Sequence, residues 1–228
     1  MGEMVTFASN GSTAPGYLAV PESGSGPAVV LIQEWWGLVP HITDLADRLA
    51  AEGFVTLAPD LFRGEKTSEP DEAAKKLMTL DRDRAAKDIA GAAAYLVGWA
   101  DVTSEHAAAV GFCMGGSLAV WSADASDRIN TIVGFYPAMP LEGFTPEPSA
   151  YAGRHVQLHL DEHDGGAEDP GIAAAVEALR AAGAQVEVFD YAGTGHAFFN
   201  DARPEVYDRE AAALAWSRTL DFLRAHLD

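Results

Sequence analysis

The single cysteine of this 228-residue chain lies in the run Ala109-Val-Gly-Phe-Cys-Met-Gly-Gly-Ser117. An apolar stretch, HAAAVGF, leads into Gly111-x-Cys113-x-Gly115, and a second apolar stretch follows directly. That spacing is a nucleophile elbow with cysteine where serine is commoner. The nucleophile sits on a sharp, strained strand-to-helix turn, so the residues two places to either side must be small. Such a turn lifts the sulfur above the carboxyl end of a sheet and aims a helix N-terminus at it. Helix dipole and backbone N–H groups then favour a thiolate and a developing oxyanion. Isolated cysteines are mostly buried and inert. A strained turn demands small neighbours and a buried thiol does not, so Gly111, Gly115 and Gly116 favour the reactive role.

A nucleophile needs a base, and the base needs an orienting acid, following in the order nucleophile, acid, histidine in this kind of fold. His196 lies in Ala192-Gly-Thr-Gly-His-Ala-Phe198, a glycine-rich loop able to reach back to the elbow. His41, His106, His155, His159, His163 and His226 fall in helix, strand or acid-loop positions and fit less well. The acid belongs to Asp161-Glu-His-Asp164-Gly-Gly-Ala-Glu-Asp169-Pro. Asp164, before the Gly-Gly turn, is the expected acid and Asp161 the alternative. Asp169, followed by Pro170, reads as a helix N-cap. Glu34 ends the apolar run Pro27–Gln33 and precedes Trp35-Trp36-Gly37, beside the crevice where open α/β sheets bind ligands. A second oxyanion donor arises there in this fold, so the N–H groups of Trp35 and Met114 are the expected pair.

The elements that must hold these residues alternate. Pro27–Glu34, Phe54–Pro59, His106–Phe112, Asn130–Tyr136, His155–Leu160 and Val186–Tyr191 read as strands. His41–Glu52, Asp71–Trp99 (one helix or two), Met114–Ala125, Ile172–Ala182 and Glu205–His226 read as helices, with Gly53 a stop for the first. Met4–Ala8 and Gly16–Val20 look like an antiparallel edge pair. Strand–helix alternation with short links predicts a mostly parallel, doubly wound α/β sheet in one domain, residues 1–228. The loops Arg63–Pro70 and Ala138–Ala150 are the least structured stretches.

Composition excludes several functions. At 24.1 kDa the chain is large enough to bury a core without staples, and 48% hydrophobic with 21% charged residues is ordinary globular composition. The net charge of −19 repels phosphate backbones and anionic lipid surfaces, so neither nucleic acid nor membrane is an expected partner. No apolar run approaches the ~20 residues needed to cross a bilayer, and no signal peptide is visible at the N-terminus. One cysteine forms no internal disulfide and no cysteine cluster, and no HExxH or paired-histidine helix suggests a metal site. A cytoplasmic monomer without cofactor or metal is expected.

With these residues assembled, the chain resembles the dienelactone hydrolase (carboxymethylenebutenolidase) family. The resemblance rests on Gln33-Glu34-Trp35-Trp36-Gly37, Ala58-Pro-Asp-Leu-Phe62, Gly111-Phe-Cys-Met-Gly-Gly116, the loop ending at Asp164, and Gly195-His-Ala-Phe198. It implies the α/β-hydrolase fold and a Cys113–His196–Asp164 triad cleaving a lactone or small ester through an acyl-enzyme. It also implies that Glu34 keeps the resting thiol unreactive and yields when substrate enters. Trp36, Phe198 and Asn200 are the expected substrate contacts. The family places an arginine four residues after the histidine, where it binds a substrate carboxylate and pairs with the glutamate; here that position is Asn200. Arg203, Arg63 and Arg82 are the candidates to replace it. A broad carboxylesterase or thioesterase on the same triad is the alternative among enzymes, and a redox-sensing domain reporting through Cys113 the alternative outside them.

Overall fold

The computed structural model describes residues 1–139 and 147–227. Among these residues eight strands form one sheet: β1 (Glu3–Ser9), β2 (Ser12–Ala19), β3 (Gly26–Ile32), β4 (Val55–Pro59), β5 (Val102–Phe112), β6 (Ile129–Phe135), β7 (His155–Asp161) and β8 (Gln185–Tyr191). Their spatial order is β1-β2-β4-β3-β5-β6-β7-β8. β1 and β2 form the antiparallel edge pair, β2 runs antiparallel to β4, and every later pairing is parallel.

The pleat sorts the core. Ala28, Val30 and Ile32 of β3 face one layer, with Ile89, Ala92 and Leu96 of α3 (Arg82–Val97) and Leu118 of α4 (Met114–Ala125). Val29 and Leu31 face the other, with Ile42, Leu45 and Leu49 of α1 (Pro40–Ala51) and Leu220 and Leu223 of α6 (Arg209–His226). A strand buried on both faces must be apolar at every position, which is why this run shows no alternation in the sequence. Each fully buried Leu or Ile contributes roughly 1.5–3 kcal/mol, and these layers fix where the strand ends stand.

Several boundaries differ from the sequence reading, each for a local reason. β3 stops at Ile32, paired with Gly111, so Gln33 and Glu34 lie beyond the ladder. The Asp71–Trp99 stretch is two helices, α2 (Pro70–Met78) and α3. The break falls where the Thr79 hydroxyl donates back to the Lys75 carbonyl at 2.8 Å and Asp81 caps α3 by accepting from Arg84 N at 3.0 Å. The last helix begins at Arg209, not Glu205, because Asp208 caps it through Ala211 N. Asp169 is the N-cap of α5 (Pro170–Ala181), accepting from Gly171 N and Ile172 N. The loop 63–69 is tethered: Thr67 N donates to the Trp36 carbonyl, and Arg63 pairs with buried Asp88 at 2.7 Å. Of the loop 138–150, residues 140–146 lie outside the described residues.

Candidate active site

Cys113 joins β5 to α4 with φ 54° and ψ −119°, a left-handed conformation that costs a non-glycine residue of order 1–3 kcal/mol. The surrounding glycines allow it. A Cβ on Gly111 would lie 1.9 Å from the Gly115 carbonyl oxygen, and one on Gly116 would lie 2.6 Å from that of Phe135. On Gly115 it would meet the carbonyl oxygens of Ile32 and Gln33 at 2.4 and 2.5 Å. The helix start therefore abuts the end of β3, which brings the elbow beside Glu34. The Cys113 N–H is engaged by the Phe135 carbonyl at 3.0 Å, and the Met114 N–H acts on the sulfur so as to favour the thiolate. Burial first, and the Glu34 charge second, nevertheless push the thiol up to about 12. Relative to an ordinary thiol that opposes ionisation by on the order of 4 kcal/mol, so the free site holds a thiol.

His196 and Asp164 meet after β8 and β7. Nδ1 of His196 lies 2.6 Å from Oδ2 of Asp164, and both side chains are solvent-accessible. Asp161, the other acid considered, has a buried side chain. Its Oδ1 accepts the Asp164 backbone N–H at 2.9 Å, and its Oδ2 stands 4.0 Å from His196 Nδ1. Burial raises its pKa. Among the described residues, no hydrogen bond joins the sulfur to His196. Ligand-type atoms of Asp161, Asp164 and His196 lie within 4.8 Å of one another. The Nδ1–Oδ2 contact is itself a hydrogen bond, however, and too short to seat a cation whose ligands stand ~2.0–2.2 Å away on each side. A cavity of about 270 Å³ opens beside His196, bounded by Tyr136, Leu160, Asp161, Asp164 and Ile172.

Glu34 is buried and accepts the side-chain amide of Asn200 at 2.8 Å. Burial raises its pKa, against the opposing influence of Asn200, His196, Arg203 and Tyr136. Trp35 and Trp36 stand edge to face at 5.1 Å, in a turn where Gly37 N donates to the Glu34 carbonyl. Of the three candidate arginines, Arg203 comes to the site. Its guanidinium lies 5.5 Å over the Trp36 ring, and its charge acts on both Glu34 and Cys113. Arg63 is held by Asp88, and Arg82 opens α3. Phe198, expected as a substrate contact, is fully buried against Tyr136 and Tyr191 and stands behind the site. His159 is a core histidine bonded to Tyr191, Gln157 and Thr219, its pKa lowered by burial to about 3.

Tyr136 was not singled out by the sequence. It follows β6 with φ 37°, its ring centroid 5.0 Å from that of His196. Its only sequence signal is the aromatic pair Phe135-Tyr136 at a strand end, which reads equally as core.

A parallel sheet with a nucleophile elbow after β5, a carboxylate after β7 and a histidine after β8 defines an α/β-hydrolase. Residues 14–227 match the model of the dienelactone hydrolase family, and the chain belongs to that family. It is a lactone or ester hydrolase. It is 34% identical to "Protein usf" of Aquifex pyrophilus and 31% identical to a "Putative carboxymethylenebutenolidase" of Aquifex aeolicus, in both cases over the whole of each chain. A Klebsiella pneumoniae protein solved as "Putative Dienelactone Hydrolase" superimposes with a TM-score of 0.81 at 26% identity, over 99% of both chains. No helix among the described residues is long and apolar enough to cross a membrane.

Proposed function

We propose that the chain hydrolyses a lactone or small ester through a Cys113–His196–Asp164 triad and an acyl-enzyme. His196, oriented by Asp164, takes the Cys113 proton as the sulfur attacks the substrate carbonyl. The carbonyl oxygen becomes an oxyanion facing the N–H groups of Met114 and Trp35. The tetrahedral intermediate expels the alkoxide, which leaves with the proton from His196. Water then attacks the thioester with His196 again as base, and the acid product departs. The observation that carries this reading is the 2.6 Å His196–Asp164 contact, with the Asp164 charge acting on the sulfur of a strained cysteine elbow.

Glu34 governs the sulfur in this scheme. Its charge opposes the thiolate, so the resting enzyme keeps an unreactive thiol until substrate enters. Asn200 is neutral and already bonded to Glu34, and Arg203 is paired with Glu205 at 2.9 Å, which together favour uncharged esters over carboxylate-bearing lactones and support the broad carboxylesterase as a second reading. Burst kinetics with p-nitrophenyl acetate test the scheme. The wild type should release one equivalent of nitrophenol rapidly and Cys113→Ala none. Activity of the alanine variant within about tenfold of wild type, roughly 1.4 kcal/mol of barrier, would overturn the triad. Relative rates on neutral and anionic lactones separate the two substrate readings.

A further inference from the structure

Two buried polar atoms beside the elbow, Oε1 of Glu34 and the hydroxyl of Tyr136, make no hydrogen bond of regular geometry among the described residues, yet the two side chains are near enough to act on each other as donor and acceptor. The other carboxylate oxygen, Oε2, is taken by Asn200. Buried donors and acceptors are rarely left unpaired, and those that are occur preferentially where a side chain has work to do. Tyr136 also occupies its place under strain. Its φ of 37° is unusual for a bulky residue, and its backbone N–H is fixed to the His159 carbonyl at 2.7 Å. Its ring is wedged between His196 and Phe198 at 5.0 and 5.6 Å. The wedge leaves the hydroxyl only its own rotation with which to seek an acceptor.

The charges around the pair are few and identifiable. Glu34 is faced by Tyr136 at the end of β6, by His196, Asn200 and Arg203 from the segment after β8, and by Cys113 of the elbow. The Tyr136 hydroxyl faces Glu34, Cys113 and Asp161, and after burial itself the Glu34 charge is what most opposes its ionisation. The hydroxyl therefore keeps its proton and can donate it in a hydrogen bond.

We propose that Tyr136 is a positioning residue for Glu34, its hydroxyl donating to Oε1 while Asn200 donates to Oε2. The clamp holds the carboxylate charged and at a set distance from the sulfur. The inference rests on the reading of Cys113 as the reactive group, but its test requires no turnover.

The test is the rate of iodoacetamide modification against pH. Cys113 is the only cysteine, so total incorporation reports on it alone. For a thiol beside a titrating carboxylate, the logarithm of the rate climbs with pH, flattens as the carboxylate ionises, then climbs again. Tyr136→Phe keeps the ring and removes the donor, so the flattened region should move up by about one pH unit. Glu34→Gln should abolish it, and the double variant should match Glu34→Gln. Melting temperatures of the four proteins verify that each is folded. The proposal is overturned if the wild type shows no flattened region, if Tyr136→Phe leaves it in place or moves it down, or if the phenylalanine changes the profile equally with and without Glu34. Loss of hydrolysis in Cys113→Ala judges the triad separately.

Discussion

Asn200 donates its side-chain amide to the carboxylate of Glu34 at 2.8 Å, joining two residues 166 positions apart. A neutral donor satisfies one oxygen without cancelling the charge, so burial still raises the Glu34 pKa. The consequence for stability has a definite sign. A carboxylate whose folded pKa lies above its unfolded value destabilises the fold increasingly as pH rises above the unfolded value, and in full once pH exceeds the folded one. That penalty disappears as pH falls to the ordinary carboxylate range. Glu34→Gln should therefore melt higher than wild type at pH 8, with the gain shrinking towards pH 4.5. A constant difference across that range in thermal melts would contradict the assignment.

The two aspartates near His196 should be unequal. Asp164→Asn replaces the charged 2.6 Å partner of His196 by a neutral amide that can hold the wrong tautomer, and should lower kcat by roughly 10³–10⁴-fold, as in serine triads. Asp161→Asn keeps an oxygen to accept the Asp164 N–H and should cost about tenfold or less. Steady-state kinetics on one activated ester decide between them, and a reversed order would move the acid role to Asp161.

Gly115 has no room for a methyl group, because both nearest atoms are backbone oxygens of the β3 end. Gly115→Ala should push α4 away from that end and so separate the Met114 N–H from that of Trp35, the two donors of the proposed mechanism. Loss of one oxyanion donor corresponds to roughly 10²–10³ in kcat. Near-wild-type kcat in a folded alanine variant would show that the two donors do not act together.

His159 should make the fold acid-sensitive well above the carboxylate range. Its folded pKa of about 3 lies below the ordinary 6.5, so between those values only the unfolded chain takes up the proton. Stability is therefore lost as pH falls below 6.5, by on the order of 1 kcal/mol per pH unit from this residue alone until its folded pKa is approached. His159→Gln should be less stable at neutral pH but flatter with pH between 6.5 and 5. Urea titrations at several pH values provide the measurement, and an equally steep profile in the variant would assign the sensitivity elsewhere.

What the sequence made legible was local. Met114–Ala125 is a helix at its predicted bounds because the glycines of the elbow leave no other way to leave β5. Asp169-Pro170 is an N-cap followed by N1 because that chemistry is complete within three residues. Relationships that close across the fold were hidden. Nothing near Tyr136 in sequence shows that its ring will meet His196, and nothing near Phe198 shows that it will be covered. The break at Thr79–Asp81 was blurred by a run of good helix formers on both sides.

The elbow and the cavity wall differ in what they can absorb. Gly111, Gly115 and Gly116 are each confined by main-chain atoms that have nowhere to go, whereas Leu160 and Ile172, though buried in the core, bound the cavity with side chains that can change by a methyl group or two. Inherited variation therefore has one fixed part and one free part to work with. On the proposed mechanism the reacting geometry must descend unchanged, and a lineage whose ester occupies this cavity should record a shift to a bulkier or slimmer one in the wall. Libraries for altered selectivity should be concentrated there, with the three glycines left untouched.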